Sequence, residues 1–230
     1  MIISHKHKFV FIHTTKVAGC SIVDALLGYH VGTSGKHWPD VDQKDALRFI
    51  THGSYGITSP YHNCLDLQGH AVARAAKDYF KVKGWDWDKY YKFGFMRNPW
   101  DRAVSMYSYG LRLIDEGSQS KWLHAYKKGF KHFLITAYDC DPYSTDSFQS
   151  QARYFSDYSG IIVDHIGKYE NLQDDFNLSC RSIGIPMQNL PHVNKSKHKH
   201  YTEYYDDETI ALVAKNHAED IELGGYTYDS

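Results

Sequence analysis

The sequence predicts an α/β fold, a phosphate-loop-like core with a mostly parallel central sheet flanked by helices. Short apolar runs of strand length alternate with helical patterns along the chain, the signature of layered α/β architecture. Two of those runs, 9–12 and 93–96, each stop at a cationic turn that opens into a helix. No repeat, linker or low-complexity stretch interrupts the pattern, so the 230 residues are expected to form one domain, 1–230, with a single sizeable core.

Each element has its own signal. The run 9–12 reads as a short buried strand and 19–27, ended by Gly28, as a helix. Residues 71–80 read as a helix leading into a strand at 90–96. Asn98-Pro99-Trp100-Asp101 spells a helix start, with Asn98 as N-cap, Pro99 at the first helical position and an acid at the third. From 120 to 138, Trp122, Tyr126, Phe130, Phe133 and Leu134 recur at helical spacing, a stripe suited to core or a groove wall. Residues 160–166 are strand-like. Asn171 with Asp174 is expected to cap a helix carrying Leu172, Phe176, Cys180 and Ile183, closed by Gly184. A last helix is expected over 206–223.

The two strand-turn-helix segments carry the chemistry. In the first, Lys16, Ala18, Gly19, Cys20 and Ser21 occupy the turn and the helix start. A glycine there lets the backbone approach a phosphate, and the ammonium neutralises a phosphate oxygen. The usual nucleotide-triphosphate spelling places its lysine and hydroxyl after the last glycine, where the hydroxyl holds Mg²⁺. Here Lys16 precedes Gly19 and that element is missing, which points to metal-free transfer. In the second, Arg97 at the strand tip is suited to bidentate phosphate contact, and Ser105, two turns into the helix, adds a hydroxyl. The competing reading is a structural ion pair of Arg97 or Arg102 with Asp101 or another acid. Because open parallel sheets bind ligands at the carboxyl ends of their strands, two such sites suggest one ligand with two phosphates.

These residues resemble the sulfotransferases that use 3′-phosphoadenosine 5′-phosphosulfate (PAPS), especially the branch that includes carbohydrate sulfotransferases of the heparan and chondroitin type. In that family a lysine-bearing loop after the first strand binds the 5′-phosphosulfate. An Arg-Asn-Pro-x-x-Arg-x-x-Ser-x-Tyr stretch binds the 3′-phosphate through its first arginine and its serine. Arg97-Asn98-Pro99-Trp100-Asp101-Arg102-Ala103-Val104-Ser105-Met106-Tyr107 matches it completely. The stretches around Gly167 to Phe176, His192 to Ser196, Tyr204 to Glu208 and Asp220 to Tyr226 resemble later landmarks of the branch. The resemblance implies donor contacts from Lys16, Ala18, Gly19, Cys20, Ser21, Arg97 and Ser105. It also implies a loop closing over the nucleotide with Lys195 or Ser196, where the alternative is a solvated basic loop. The family loop usually reads Pro-Lys-Thr/Ala-Gly-Thr-Ser; Thr15 in place of the proline relaxes the turn, and Cys20 is a poorer donor than threonine.

Composition sets the remaining bounds. A net charge of −1 provides no global field for nucleic acid, and no nucleic-acid partner is expected. No apolar stretch reaches signal-peptide or transmembrane length, because Lys6, His7 and Lys8 precede a run of only a few apolar residues. The expectation is a cytoplasmic protein without stable membrane insertion. Eukaryotic members of the branch are membrane-anchored and lumenal, which points to a bacterial or viral enzyme, or to a chain trimmed of its anchor. Cys20, Cys64, Cys140 and Cys180 lack C-x-x-C spacing, so neither a disulfide framework nor a zinc site is expected.

Sulfuryl transfer to an alcohol requires a base near the acceptor hydroxyl and positive charge near the leaving oxygen. Lys16 suits the second role. Of fifteen histidines, His70 is the best placed for the first, since Gly69-His70-Ala-Val-Ala resembles the His-x-x-Ala element of many members; His52, His62 and Glu170 are the alternatives. Nineteen tyrosines suit a glycan acceptor but equally a Tyr-rich core and surface. Acceptor specificity is expected in 29–69. Two other function classes stay open: an atypical nucleotide phosphotransferase, which would require Mg²⁺, and a catalytically silent nucleotide- or glycan-binding protein of the same fold.

Overall fold

The structure, a computed structural model, describes residues 1–26, 29, 70–118, 121–139, 148–191 and 199–230, the side chains of 121 and 122 excepted. Along the chain these give strands β1 (Ile2–Ser4) and β2 (Phe9–Ile12), helices α1 (Gly19–Leu26) and α2 (Ala73–Lys83), and strand β3 (Tyr91–Met96). Helices α3 (Pro99–Asp115) and α4 (Phe130–Asp139) follow, then a helical turn at Ala152–Phe155 and strands β4 (Ser156–Asp157), β5 (Gly160–Ile161) and β6 (His165–Lys168). Helices α5 (Leu172–Ile183), α6 (Asp207–Asn216) and α7 (Ala218–Gly224) complete the order. The chain divides into two compact units, one of Met1–Met96 with Arg153–Val193 and one of Arg97–Ala152 with Asn194–Ser230.

The first unit holds a four-stranded sheet in the order β1-β2-β3-β6. β1 runs antiparallel to β2, while β2–β3 and β3–β6 are parallel, with Phe11 opposite Phe93 and Phe93 opposite His165. The expected mostly parallel sheet flanked by helices therefore forms. Strand periodicity sends Phe9, Phe11, Phe93 and Phe95 to one face. There Ile22, Val23 and Leu26 of α1 and Phe176, Cys180 and Ile183 of α5 cover them in one buried cluster. Full burial of each such ring contributes about 2 to 3 kcal/mol. Between those rings Gly94 faces the other way, where a Cβ would lie 2.5 Å from the Phe155 ring and 2.9 Å from the Ile12 carbonyl oxygen. Only glycine fits.

Element boundaries depart from the sequence expectation for identifiable reasons. α2 begins at Ala73 after an extended Val72 and ends at Gly84, whose φ of 68° allows Gly84 N–H to reach the Lys81 carbonyl and Trp85 N–H that of Phe80. The expected strand 160–166 splits: β5 pairs with β4, and the chain joins the main sheet only from His165. Asp164 makes the joint. Its carboxylate accepts the Lys92 N–H at 2.6 Å and pairs with the Lys92 ammonium at 2.9 Å, while its own N–H reaches the Lys92 carbonyl. α5 closes at Gly184 as expected, but the Asn171 side chain makes no cap bond; Asp175, not Asp174, turns back to accept the Lys168 N–H at 2.6 Å.

The second unit is helical. Asn98 caps α3 as expected, its side-chain oxygen accepting from the N–H groups of Trp100 and Asp101. The helix expected over 120–138 is broken at Gly129, φ 99°, into a 3₁₀ stretch Lys121–Lys128 and α4. Tyr126, Phe130 and Phe133 pack around Tyr107, so that part of the stripe is core; the side chain of Trp122 lies outside the described residues. The last expected helix is also two. Asp206 and Thr209 form a capping box on α6, and His217 leaves helical geometry with φ −121° before α7 begins.

Candidate functional site

In the first unit the chain turns immediately after β2, the Thr14 N–H reaching the Ile12 carbonyl at 3.2 Å. Lys16 (φ 64°) and Ala18 (φ 57°) then adopt the left-handed conformation, with Val17 between them on the ordinary side. Each costs a non-glycine residue about 1 kcal/mol. Left-handed residues of this kind are the ones from which anion-binding backbone nests are built. The loop is held from both ends: Val17 is fully buried in the sheet cluster, and the Ala18 carbonyl accepts from the N–H groups of Ser21 and Ile22 to start α1. Lys16 and Cys20 are half-buried and Ser21 is buried. The turn relaxed by Thr15 is thus anchored by packing where the family has a proline.

Gly19 has a reason the sequence did not reveal. A Cβ there would lie 1.9 Å from Nε2 of His13 and 2.1 Å from its Cδ2, so the small residue makes room for a buried imidazole as well as for any phosphate. His13 in turn reaches His70. Nδ1 of His70 lies 2.8 Å from the His13 carbonyl oxygen, and the two rings are 4.3 Å apart. A carbonyl only accepts, so neutral His70 carries its proton on Nδ1 and its basic lone pair on Nε2. The structure therefore brings His70 to the Lys16 loop through His13, a residue that sequence reasoning missed. His52 and His62 lie outside the described residues, and Glu170 is exposed on the 3₁₀ turn Tyr169–Asn171 after β6.

In the second unit Arg97 follows the last residue of β3 and is 6% exposed. Its Nε and Nη2 both lie 2.7 Å from Oδ2 of Asp101, so the ion pair left open for Arg97 is present. Arg102, also buried, donates from Nη1 to the Gln149 carbonyl at 3.1 Å. Ser105, 3% exposed, lies on α3. Lys195 and Ser196 lie outside the described residues.

Behind Arg97 stands a polar network that sequence reasoning also missed. Gln151, fully buried, accepts the Arg97 N–H on Oε1 at 2.9 Å and donates from Nε2 to the Arg97 carbonyl at 2.8 Å. Asp220, fully buried, accepts from Ser150 Oγ at 2.7 Å, the Ala152 N–H at 2.8 Å, Nδ1 of His217 at 2.9 Å and Gln151 Nε2 at 3.4 Å. Burial pushes the Asp220 carboxyl up, but His217 and Arg102 more than offset it and hold it at about 2. Gln151 sits in an unremarkable polar stretch and carries no local signal. Asp220 fell within a family landmark, without a role.

A model of the Sulfotransferase family matches residues 1–227. The chain belongs to the sulfotransferase family. The match spans both units and agrees with the α/β fold and its phosphate-loop-like segment. Membership makes the protein a sulfotransferase with a hydroxyl-bearing acceptor. A protein of Archaeoglobus fulgidus, described as uncharacterized, is 29% identical over 114 residues, covering 50% of this chain and 84% of that protein. No solved structure matches. Among the described residues no helix is long and apolar enough to cross a membrane, and no group of three or more His, Cys, Asp and Glu side chains is placed to hold a metal ion. Cys180 is a buried free thiol and Cys20 is half-buried at the start of α1, while Cys64 and Cys140 lie outside the described residues.

Proposed function

We propose that this sulfotransferase takes PAPS as donor and a carbohydrate hydroxyl as acceptor, with 1–230 acting as one sulfotransferase domain in the cytoplasm. The observation that carries the reading is a pair of cationic turns after neighbouring parallel strands: the Lys16 loop follows β2 and Arg97 follows β3. The groups suit a bisphosphorylated nucleotide. Residues 13–21 contain a lysine, hydroxyls and a helix start but no acid, and Arg97 and Ser105 supply a guanidinium and a hydroxyl.

PAPS supplies an activated sulfuryl group whose bridging oxygen leaves on the 5′-phosphate. Lys16 offsets the charge that develops on that leaving oxygen, as do the N–H groups of its loop. Arg97 and Ser105 bind the 3′-phosphate, and Lys195 and Ser196 complete the nucleotide contacts. His70, with its proton on Nδ1 held by the His13 carbonyl, takes the acceptor proton on Nε2. Transfer is in line and uses no metal.

A thermal-shift titration tests the donor, comparing adenosine 3′,5′-bisphosphate, the donor's product, with ADP and ATP, each with and without Mg²⁺. At about 100 times its dissociation constant a ligand stabilises by about 2.7 kcal/mol, or about 5 to 10 °C in a chain of this size. The expected result is a metal-independent shift for the bisphosphate that Arg97→Ala abolishes. A larger Mg²⁺-dependent shift with ATP, or none with the bisphosphate, overturns the reading in favour of phosphotransfer.

A further inference from the structure

We infer that Gln151 is a positioning residue for the donor's 3′-phosphate: it fixes the main chain of Arg97 and thereby aims the guanidinium. The inference rests on the proposed role of Arg97. β3 ends at Met96, so residue 97 lies past the strand whose ladder would hold its N–H and carbonyl. Gln151 supplies both bonds from one side chain, at 2.9 and 2.8 Å, the two-bond exchange that an opposing strand residue makes in an antiparallel ladder. Both of its short hydrogen bonds go to Arg97.

The amide is locked in its orientation. A carboxylate only accepts, so the end of Gln151 that faces Asp220 Oδ2 at 3.4 Å is its nitrogen, and the oxygen is left for the Arg97 N–H. Asp220 is itself fixed by Ser150, Ala152 and His217. The far end of Arg97 is set independently, since Asp101 holds Nε and Nη2 at 2.7 Å from the first turn of α3. With the main chain fixed by Gln151 and the head by Asp101, a long side chain that would otherwise sample many rotamers presents one. Such preorganisation spares a ligand the cost of ordering it.

The test is a comparison of two nucleotides that differ only in the 3′-phosphate, adenosine 3′,5′-bisphosphate and AMP, titrated calorimetrically into the full chain. Gln151→Met keeps the shape and removes both hydrogen bonds. It is expected to weaken the bisphosphate about 10-fold while changing AMP by less than about 2-fold, and to add nothing when combined with Arg97→Ala. A merely structural glutamine would affect both nucleotides alike. Gln151→Asn, which keeps the amide but falls one methylene short of Arg97, is expected to act in the same direction and carries the comparison if Gln151→Met melts below the assay temperature. If the wild type prefers the bisphosphate and the folded variant keeps that full preference, the inference is overturned alone. If the wild type binds both nucleotides alike, the donor reading falls and this inference falls with it.

Discussion

Replacing Asp220 by asparagine preserves the size of a fully buried side chain and removes its charge. The carboxylate accepts from Ser150 and Ala152 on Oδ1 and from His217 and Gln151 on Oδ2. Asparagine has one accepting oxygen, and its NH₂ must face donors on the other side. The least costly arrangement keeps the oxygen toward the Ala152 N–H, which can only donate, and sets the NH₂ toward His217, which accepts only if its proton moves to Nε2. Gln151 Nε2 then meets a second donor, and Arg102 loses its nearby negative charge. Losing charge-assisted bonds inside a buried network of this kind costs about 3 kcal/mol, or about 6 to 12 °C in melting temperature.

The pH dependence of Asp220→Asn identifies the cause. The Asp220 carboxyl titrates at about 2 in the folded chain against 3.8 for a free aspartate. At 1.36 kcal/mol per tenfold change in proton affinity this supplies about 2.4 kcal/mol. The folded value is the lower one, so the contribution is fully present above about pH 4 and is lost as pH falls toward 2. Urea unfolding of wild type and Asp220→Asn, read by tryptophan fluorescence, should show the full stability gap at pH 7 and a gap narrower by about 1 kcal/mol at pH 3. A gap equal at both values, or a variant as stable as wild type at pH 7, refutes the account.

Two further outcomes follow from the first unit. Gly19→Ala sets a methyl against the buried His13 ring, 1.9 Å from Nε2, and overpacking of this kind should cost about 1 to 3 kcal/mol; chemical denaturation checks it, and the double variant Gly19→Ala/His13→Ala should recover part of the loss. His70→Ala should lower kcat by about 10² to 10⁴ while leaving the thermal shift with adenosine 3′,5′-bisphosphate unchanged, so that a parallel loss of nucleotide binding would instead make His70 a support of the loop.

The sequence was most legible where one short segment settles its own conformation. The strand 9–12, the Asn98-Pro99 helix start and the Gly184 helix end appear where expected because capping and apolar runs act over a few residues. It was less legible where a single backbone torsion or a distant side chain decides. Gly129 and His217 each break a helix that periodicity carries through, and Asp164 moves a strand start by tying itself to Lys92. The candidate site divides in the same way. The spacing proposes Lys16, Arg97 and Ser105 as candidates, whereas His13 and Gln151 act on residues 6 and 54 positions away, respectively, and local patterns carry no trace of such pairs.

The left-handed torsions at Lys16 and Ala18 set endurance against the role proposed for this loop. Glycine or asparagine would accept either torsion more readily than the residues present. Directed evolution for heat resistance alone should therefore drift toward those residues at both positions. At 18 asparagine relieves the torsion without the unfolded-state freedom that largely cancels the gain from glycine. At 16 the drift removes the ammonium that is proposed to offset charge on the leaving oxygen. A stabilisation programme for this chain has to hold residue 16 constant and can leave residue 18 open.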